Sequence, residues 1–105
     1  MTLKLTTNQI LQKAIDAHNE GKFDEAERLY REILKDEPTQ LDANNNLGVL
    51  LYSMNRLEES EESYRKAIQL KPDYVEGHFD LSNFFYSTGK FEQSAESYRD
   101  RKSVV

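Results

Sequence analysis

The sequence contains no cysteine and only two histidines, His18 and His78, which lie far apart with no ligand pattern around either. Disulfides and thiolate metal sites are therefore excluded, and we expect neither a metal nor another cofactor. A surplus of positive charge is also missing, because 19 acidic residues outnumber 14 lysines and arginines and leave a net charge of -5. Binding to DNA or RNA needs a concentrated positive surface. We therefore expect a protein or peptide partner that is neutral or basic rather than acidic.

Long apolar runs are absent as well. The first residues, MTLKLTTNQILQK, hold no apolar core of a signal peptide, and no later stretch reaches the roughly 18 apolar residues of a membrane span. The sequence thus predicts a cytoplasmic protein with no membrane contact. Hydrophobic residues make up 37% and charged residues 31% of the 105 residues, which favours a single thin, elongated domain over residues 1–105.

An internal repeat is the strongest pattern that is present. The same kinds of residue return at a constant offset of 34 residues, with no insertion to interrupt it. The matched positions are Pro38 and Pro72; Tyr30, Tyr64 and Tyr98; Phe23, Leu57 and Phe91; Ala26, Ser60 and Ser94; and Gly21, Asn55 and Gly89. Agreement across five kinds of position is far more specific than a short motif.

Each unit is predicted to be two helices joined by a tight turn. Leu47, Leu50, Leu51 and Met54 follow the spacing of one helical face, and the Gly, Asn, Gly position supplies the positive φ that ends a helix. Capping boxes at Thr39–Asp42 and Asp73–Glu76 would begin two of the helices. The expected helices span roughly 7–20, 24–36, 41–54, 58–70, 75–88 and 92–102.

This pattern resembles the tetratricopeptide repeat, a 34-residue helix-turn-helix unit. The matching residues are Leu47, Gly48, Gly21, Gly89, Ala26, Tyr30, Tyr64, Ala67, Pro38 and Pro72. The resemblance implies an all-α fold, a right-handed α-solenoid of three hairpins and six helices. The repeats would span 7–40, 41–74 and an incomplete 75–105. The second repeat, with its ANNNLG stretch, is most similar to the repeats of O-linked N-acetylglucosamine transferase.

The resemblance further implies a concave groove that is lined by the first helices and holds a peptide or protein segment. Its lining is predicted from the first-helix positions that remain once the packing face is assigned. These positions are Gln12, Ile15, His18, Asn45, Asn46, Val49, Tyr52, Phe79, Asp80, Asn83 and Tyr86.

Two features of this set suggest how a segment would be held. Gln12, Asn46 and Asp80 are equivalent positions that could form a polar ladder against a peptide backbone, and the alternative is that they meet water or a neighbouring helix. The aromatics Tyr52, Phe79 and Tyr86 could act as anchors, and the alternative is packing between hairpins. Both alternatives stay open from the sequence.

The carboxylate clamp found in some members of the family is not expected here. That clamp needs lysine, asparagine and arginine, and this chain has Leu11, Ile15, Asn46, Glu76 and Asp80 at the corresponding positions. Only Asn46 fits. A ligand that ends in a carboxylate would meet acid instead of base.

The expected function is a non-catalytic protein-interaction module. The acids Glu58, Glu59, Glu61 and Glu62 are interpreted as a solvated helix face, and no enzymatic activity is predicted. One alternative is self-association through the last repeat, because a stack of hairpins needs a covered outer face. The residues expected to be exposed there are Phe84, Phe85, Phe91 and Tyr98. Another alternative is that the repeats form the substrate-binding arm of a longer enzyme.

Overall fold

The computed structural model describes residues 4–89, and within this range the chain forms five α-helices and no strand. They are α1 (Thr7–Asn19), α2 (Phe23–Asp36), α3 (Leu41–Ser53), α4 (Leu57–Leu70) and α5 (Val75–Ser87). Each of the first five predicted helices is confirmed to within one residue at either end. The predicted sixth helix, 92–102, lies outside the described residues. None of these five helices combines the length and the apolar character needed to cross a bilayer.

The turns between helices use a left-handed residue, as the repeat predicted. Gly21, Asn55 and Gly89 have φ angles of 78°, 60° and 81°. The backbone N–H of Lys22 then donates to the carbonyl of Ala17, and the N–H of Arg56 donates to that of Leu51, at 2.8 and 2.9 Å. These bonds satisfy carbonyl groups that the end of a helix would otherwise leave open. The first two hairpins therefore reverse at the same position, and Gly89 has the same left-handed conformation at the end of α5.

The helix starts differ from the predicted capping boxes. α3 is capped by Gln40, whose Oε1 accepts from the N–H of Ala43 at 2.6 Å, and α5 begins after Tyr74 with no side-chain cap. The predicted boxes at Thr39–Asp42 and Asp73–Glu76 are therefore wrong. Each helix begins one residue later than a cap at Thr39 or Asp73 requires. A capping box does form between Thr6 and Gln9 at the start of α1.

The helices stack as an array in which each contacts its neighbours in order. α1 packs on α2 and α3 on α4, the second helix of each hairpin packs on the next first helix, and the first helices α1, α3 and α5 touch in sequence. Small residues allow the close approach within the second hairpin. Ser60 is fully buried, and its hydroxyl donates to the carbonyl of Gly48 at 2.6 Å. The ring of Tyr64 lies against Gly48, where a Cβ atom would be only 2.8 Å from Tyr64 Cδ1.

Two apolar clusters fill the array. The first joins the first two hairpins, and includes Tyr30, Leu50 and Leu51, each no more than 1% exposed. Burial raises the pKa of the Tyr30 hydroxyl to about 12. The second cluster joins α4 to α5 and holds Tyr64, Leu81, Phe84 and Phe85. Each of the first two hairpins thus buries part of its apolar face on the helix that follows it.

An ion-pair network joins the second helices on the outside of the array. Arg56 Nη1 lies 2.7 Å from Glu27 Oε1, and the same guanidinium binds both carboxylate oxygens of Glu59, at 2.7 and 3.0 Å. Arg31 completes the network through Glu27 at 2.8 Å. The hydrogen bond from Arg56 is the main reason that the pKa of Glu27 is lowered. The network fixes α2 against the start of α4.

Candidate functional site

The groove surface is defined here as the exposed and partly exposed side of the first helices α1, α3 and α5. Most of the residues predicted to line it do lie at least partly open to solvent. Those that are exposed are Gln12, Tyr52, Phe79, Asn83 and Tyr86. Those that are partly buried are Ile15, His18, Asn46, Val49 and Asp80.

Asn45 differs from this expectation because it is only 2% exposed. Its Nδ2 donates to Asp80 Oδ2 on α5 at 2.8 Å, so the next first helix covers it. Asn45 is therefore corrected from a groove-lining residue to a contact between α3 and α5. Its Oδ1 is buried and has no hydrogen-bond partner within residues 4–89.

A second polar contact joins α1 to α3. His18 Nε2 lies 3.2 Å from Ser53 Oγ, and Ser53 Oγ in turn lies 3.2 Å from the carbonyl of Val49. The tautomer of His18 decides which of the two side chains is the donor in this contact. Burial lowers the pKa of His18, which favours the neutral ring. Ser53 was not anticipated from the sequence, although its spacing of 35 residues from His18 equals the spacing from Asn45 to Asp80.

Two of the three residues of the predicted polar ladder make hydrogen bonds within the protein. Gln12 Nε2 donates to Asp16 on its own helix at 2.9 Å, and Asp80 accepts from Asn45. Burial raises the pKa of Asp80; the hydrogen bond from Asn45 opposes this, and the charge of Glu76 adds to it. Asn46 is partly buried between these two positions. The three side chains occupy equivalent places, but two of them already have partners.

The three predicted aromatic anchors are all exposed. Tyr52 is 39%, Phe79 49% and Tyr86 67% exposed. Tyr52 lies edge-on to the buried Phe84, with ring centroids 6.0 Å apart, so its ring is supported from below. Val75 is also exposed and shares a face of α5 with Phe79 and Tyr86, because the three lie at i, i+4 and i+11. The groove surface therefore carries its large apolar groups on α3 and α5.

The face expected to mediate self-association does not have the predicted exposure. Phe84 and Phe85 are 4% and 3% exposed, which corrects the expectation that they face solvent. Phe84 packs edge-on against Tyr64 at 6.0 Å, and the guanidinium of Arg65 lies over the ring of Phe85 at 5.4 Å. Both rings thus fold back onto α4. Phe91 and Tyr98, the other two residues of that prediction, lie outside the described residues.

The charge of the groove surface is negative where α3 meets α5. Neither of these helices contains a lysine or arginine, and together they contribute an acidic cluster of Asp42, Glu76 and Asp80. The hydroxyl of Tyr74 lies 3.3 Å from Asp42 and 3.2 Å from Glu76. Tyr74 was not anticipated from the sequence, because it precedes a helix rather than lying on one.

A separate cleft of about 480 Å³ lies between α1 and α2. Its charged lining has both signs, with Lys13 and Arg28 beside Asp16 and Glu32. No predicted groove residue lines it. Within residues 4–89, no group of three or more histidine or acidic side chains is arranged to hold a metal ion.

The arrangement of helices is similar to that of several solved structures. SycD from Yersinia enterocolitica, described as a type III secretion translocator chaperone in an alternative dimer, aligns with a TM-score of 0.85 at 13% identity, over 93% of this chain and 74% of SycD. A crystal structure of MamA aligns with a TM-score of 0.82 at 17% identity, over 94% of this chain and 58% of the MamA chain. Identities this low show the fold and nothing finer.

Comparison with the sequences of curated proteins gives no match. The profile of the tetratricopeptide repeat, in contrast, matches residues 11–75 and again residues 51–102. These two overlapping matches cover most of the chain and include Pro38, Pro72 and the third tyrosine of the repeat, Tyr98. The all-α solenoid expected from the sequence is thereby confirmed, and the chain belongs to the tetratricopeptide repeat family.

Proposed function

We propose that this protein is a non-catalytic interaction module that binds an extended or helical segment of another protein on its groove surface. The observation that carries the proposal is the exposure of Tyr52, Phe79 and Tyr86, at 39%, 49% and 67%. Aromatic side chains bury a large area at a small cost in conformational entropy, and they dominate binding hot spots. Repeat proteins of this kind use their concave surfaces for binding.

Polar groups beside these aromatics would set the register of the bound segment. Asn83 is exposed and lies between Phe79 and Tyr86 on α5, and Asn46 is partly open on α3. An asparagine amide both donates and accepts, so it can pair with a peptide N–H or C=O. This combination of rigid rings and adaptable amides supports binding to a backbone rather than a chemical reaction.

The test is to identify a bound protein by affinity purification, reduce it to its binding segment, and measure the affinity of that segment by calorimetry. Tyr86→Ala removes the most exposed ring and is expected to weaken binding by about tenfold or more, which corresponds to at least about 1.4 kcal/mol. Leu70→Ala is the matched control, since Leu70 is 37% exposed on α4, outside the groove surface. It should leave the affinity within about twofold.

Thermal unfolding of the same variants separates binding from folding. Because Tyr86 is mostly exposed, Tyr86→Ala should change the melting temperature little. Equal losses of affinity for Tyr86→Ala and Leu70→Ala would contradict a groove-surface site. A large fall in stability of Tyr86→Ala would assign that ring to packing instead.

Self-association is a second candidate, and one observation favours it. Asn45 is buried because the next first helix lies over it, whereas Phe79, its equivalent in the third repeat, is 49% exposed. Val75 beside it is 56% exposed. A helix from a second copy could cover these two side chains as α5 covers Asn45.

Light scattering coupled to gel filtration tests this second candidate. Self-association predicts a mass that rises with protein concentration and returns to that of one chain in Phe79→Glu. A constant monomeric mass up to high micromolar concentration would exclude it. If Phe79→Glu blocked both association and segment binding, the two would compete for one surface.

A further inference from the structure

Two of the three described first helices carry negative charges only. α3 and α5 contain no lysine or arginine, while the acidic cluster of Asp42, Glu76 and Asp80 lies where the two helices meet. The three acids are close in space, because Tyr74 contacts both Asp42 and Glu76, and because the charge of Glu76 contributes to the raised pKa of Asp80. The arginine and lysine ion pairs of the described residues lie on α2, α4 and the turns before them.

The acidic cluster also has fewer hydrogen-bond donors than acceptors around it. One hydroxyl proton on Tyr74 is shared between Asp42 and Glu76, so only one of the two carboxylates can accept it at a time. The side chain of Asn45 is 2% exposed and uses an N–H on Asp80, while its own Oδ1 has no partner among the described residues. Acceptors therefore outnumber donors across the cluster, and a ligand that brings donors and positive charge can pair with the exposed carboxylates of Asp42 and Glu76.

Exposed rings border this cluster. Phe79 is adjacent to Asp80 in the chain, and Tyr86 lies further along the same face of α5. Tyr52 and Asp80 are both near the buried hydroxyl of Tyr64, since each contributes to raising its pKa after the larger effect of burial. The faces of aromatic rings attract cations, most often the guanidinium of arginine. Acids and rings are therefore found together on one part of the groove surface.

We infer that this part of the groove surface, formed by the acidic cluster with Tyr52, Phe79 and Tyr86, selects a peptide segment that carries arginine or lysine side chains. The acids would pair with the cationic groups, and the rings would cover their aliphatic stems. The inference rests on the proposed function and makes it specific, because it states the chemistry of the partner. An acidic segment would meet repulsion at the same place, which gives the surface selectivity as well as affinity.

The test begins with a displayed library of random dodecapeptides, selected on the intact protein. We expect the selected peptides to be enriched in arginine and lysine and depleted in aspartate and glutamate. One selected peptide is then labelled with fluorescein and titrated by anisotropy, beside a version in which each basic residue is replaced by glutamate. Replacement should lower the affinity by about tenfold or more, and added salt should weaken the basic peptide.

Two charge-removing variants locate the effect. Glu76→Gln and Asp80→Asn should each weaken the basic peptide by about threefold to tenfold, while keeping shape and hydrogen-bonding capacity. Glu62→Gln is the matched control: it removes the same charge from an exposed residue of α4 and should leave affinity within about twofold. The melting temperature of each variant shows whether it is folded.

The outcomes separate this inference from the proposed function. If peptides bind and depend on Tyr86 but tolerate charge reversal, the inference is overturned and the proposed function stands. Equal losses in Glu62→Gln and Asp80→Asn would also overturn it, because the effect would then come from net charge alone. If no selected peptide depends on any residue of the groove surface, both proposals fail.

Discussion

Asn44 and His78 occupy equivalent positions in successive repeats and make the same contact. Asn44 Nδ2 lies 3.0 Å from the carbonyl oxygen of Pro38, and His78 Nε2 lies 2.7 Å from that of Pro72. Because a carbonyl only accepts, His78 carries its proton on Nε2. An amide and an imidazole thus play the same structural role, since each fixes the proline that ends one repeat to the first helix of the next.

His78→Ala should therefore destabilise the protein by about 2 kcal/mol, through the lost hydrogen bond and the space left by a ring that is 6% exposed. His78→Asn places in the third repeat the residue that already serves in the second, and it should recover part of that loss. Urea unfolding measures both. If alanine and asparagine destabilised the protein equally, the bond to Pro72 would contribute nothing to folding.

Gly48→Ala should destabilise the second hairpin by about 1–3 kcal/mol, because the new Cβ would lie 2.8 Å from the ring of Tyr64. Tyr64 cannot easily move aside, since it is 4% exposed and packs against Phe84. The equivalent residue of the first repeat is Ala14, so Ala14→Gly is the matched control for helix propensity. Thermal denaturation measures both variants. An unchanged melting temperature for Gly48→Ala would mean that the ring of Tyr64 moves to make room for the new Cβ.

Asn55 holds a φ of 60° at the turn between α3 and α4. Asn55→Gly should be neutral or stabilise by up to about 1 kcal/mol, because glycine adopts this conformation without steric cost. Asn55→Ala should destabilise by about 1 kcal/mol, since a Cβ disfavours positive φ in residues other than asparagine and aspartate. Denaturant unfolding of Asn55→Gly and Asn55→Ala measures the cost of the positive φ. Equal stabilities of the two variants would show that the turn can adopt another backbone conformation.

Asp80→Asn should stabilise the protein at neutral pH. The pKa of Asp80 is raised in the folded state, first by burial, so the fold favours the protonated side chain over the ionised one. That contribution is complete below the ordinary aspartate pKa, about 4, and is lost as pH rises through the raised value. The advantage of the variant should therefore shrink towards zero on acidification below about pH 4.

Chemical denaturation of Asp80→Asn and the parent protein across this pH range provides the measurement. Asn45 can still donate to the new amide oxygen, so the contact between α3 and α5 is kept. Should the variant be less stable at neutral pH and equal to the parent protein below about pH 4, the contact would require a charged acceptor.

The helices and turns were predictable because the same sequence pattern occurs in three successive repeats. Gly21, Asn55 and Gly89 mark one turn position in each unit, and each observation supports the others. The caps carry no such redundancy. Gln40 caps α3 through a side chain that standard capping preferences rank low, so Thr39 was the more favoured choice from sequence.

Burial on the groove surface was harder to predict, because it depends on the neighbouring repeat. Asn45 is buried and donates to Asp80 on α5, a contact that no single hairpin contains. Phe84 was predicted to be exposed on the last repeat, yet its ring packs against Tyr64 of α4. A sequence pattern that recurs in every repeat predicts the helices within a repeat. It does not predict which side chains meet between neighbouring repeats.

Asn45 and Phe79 occupy equivalent positions in successive repeats, and the difference between them matters for engineering longer versions of this array. A designer who appended another hairpin after the third would cover Phe79 in the way that α5 covers Asn45. The appended helix would then face a bulky ring where the existing junction offers an amide to a carboxylate. Extension would therefore call for Phe79→Asn together with an aspartate at the matching site of the new helix, and the lengthened protein would give up one of its exposed rings.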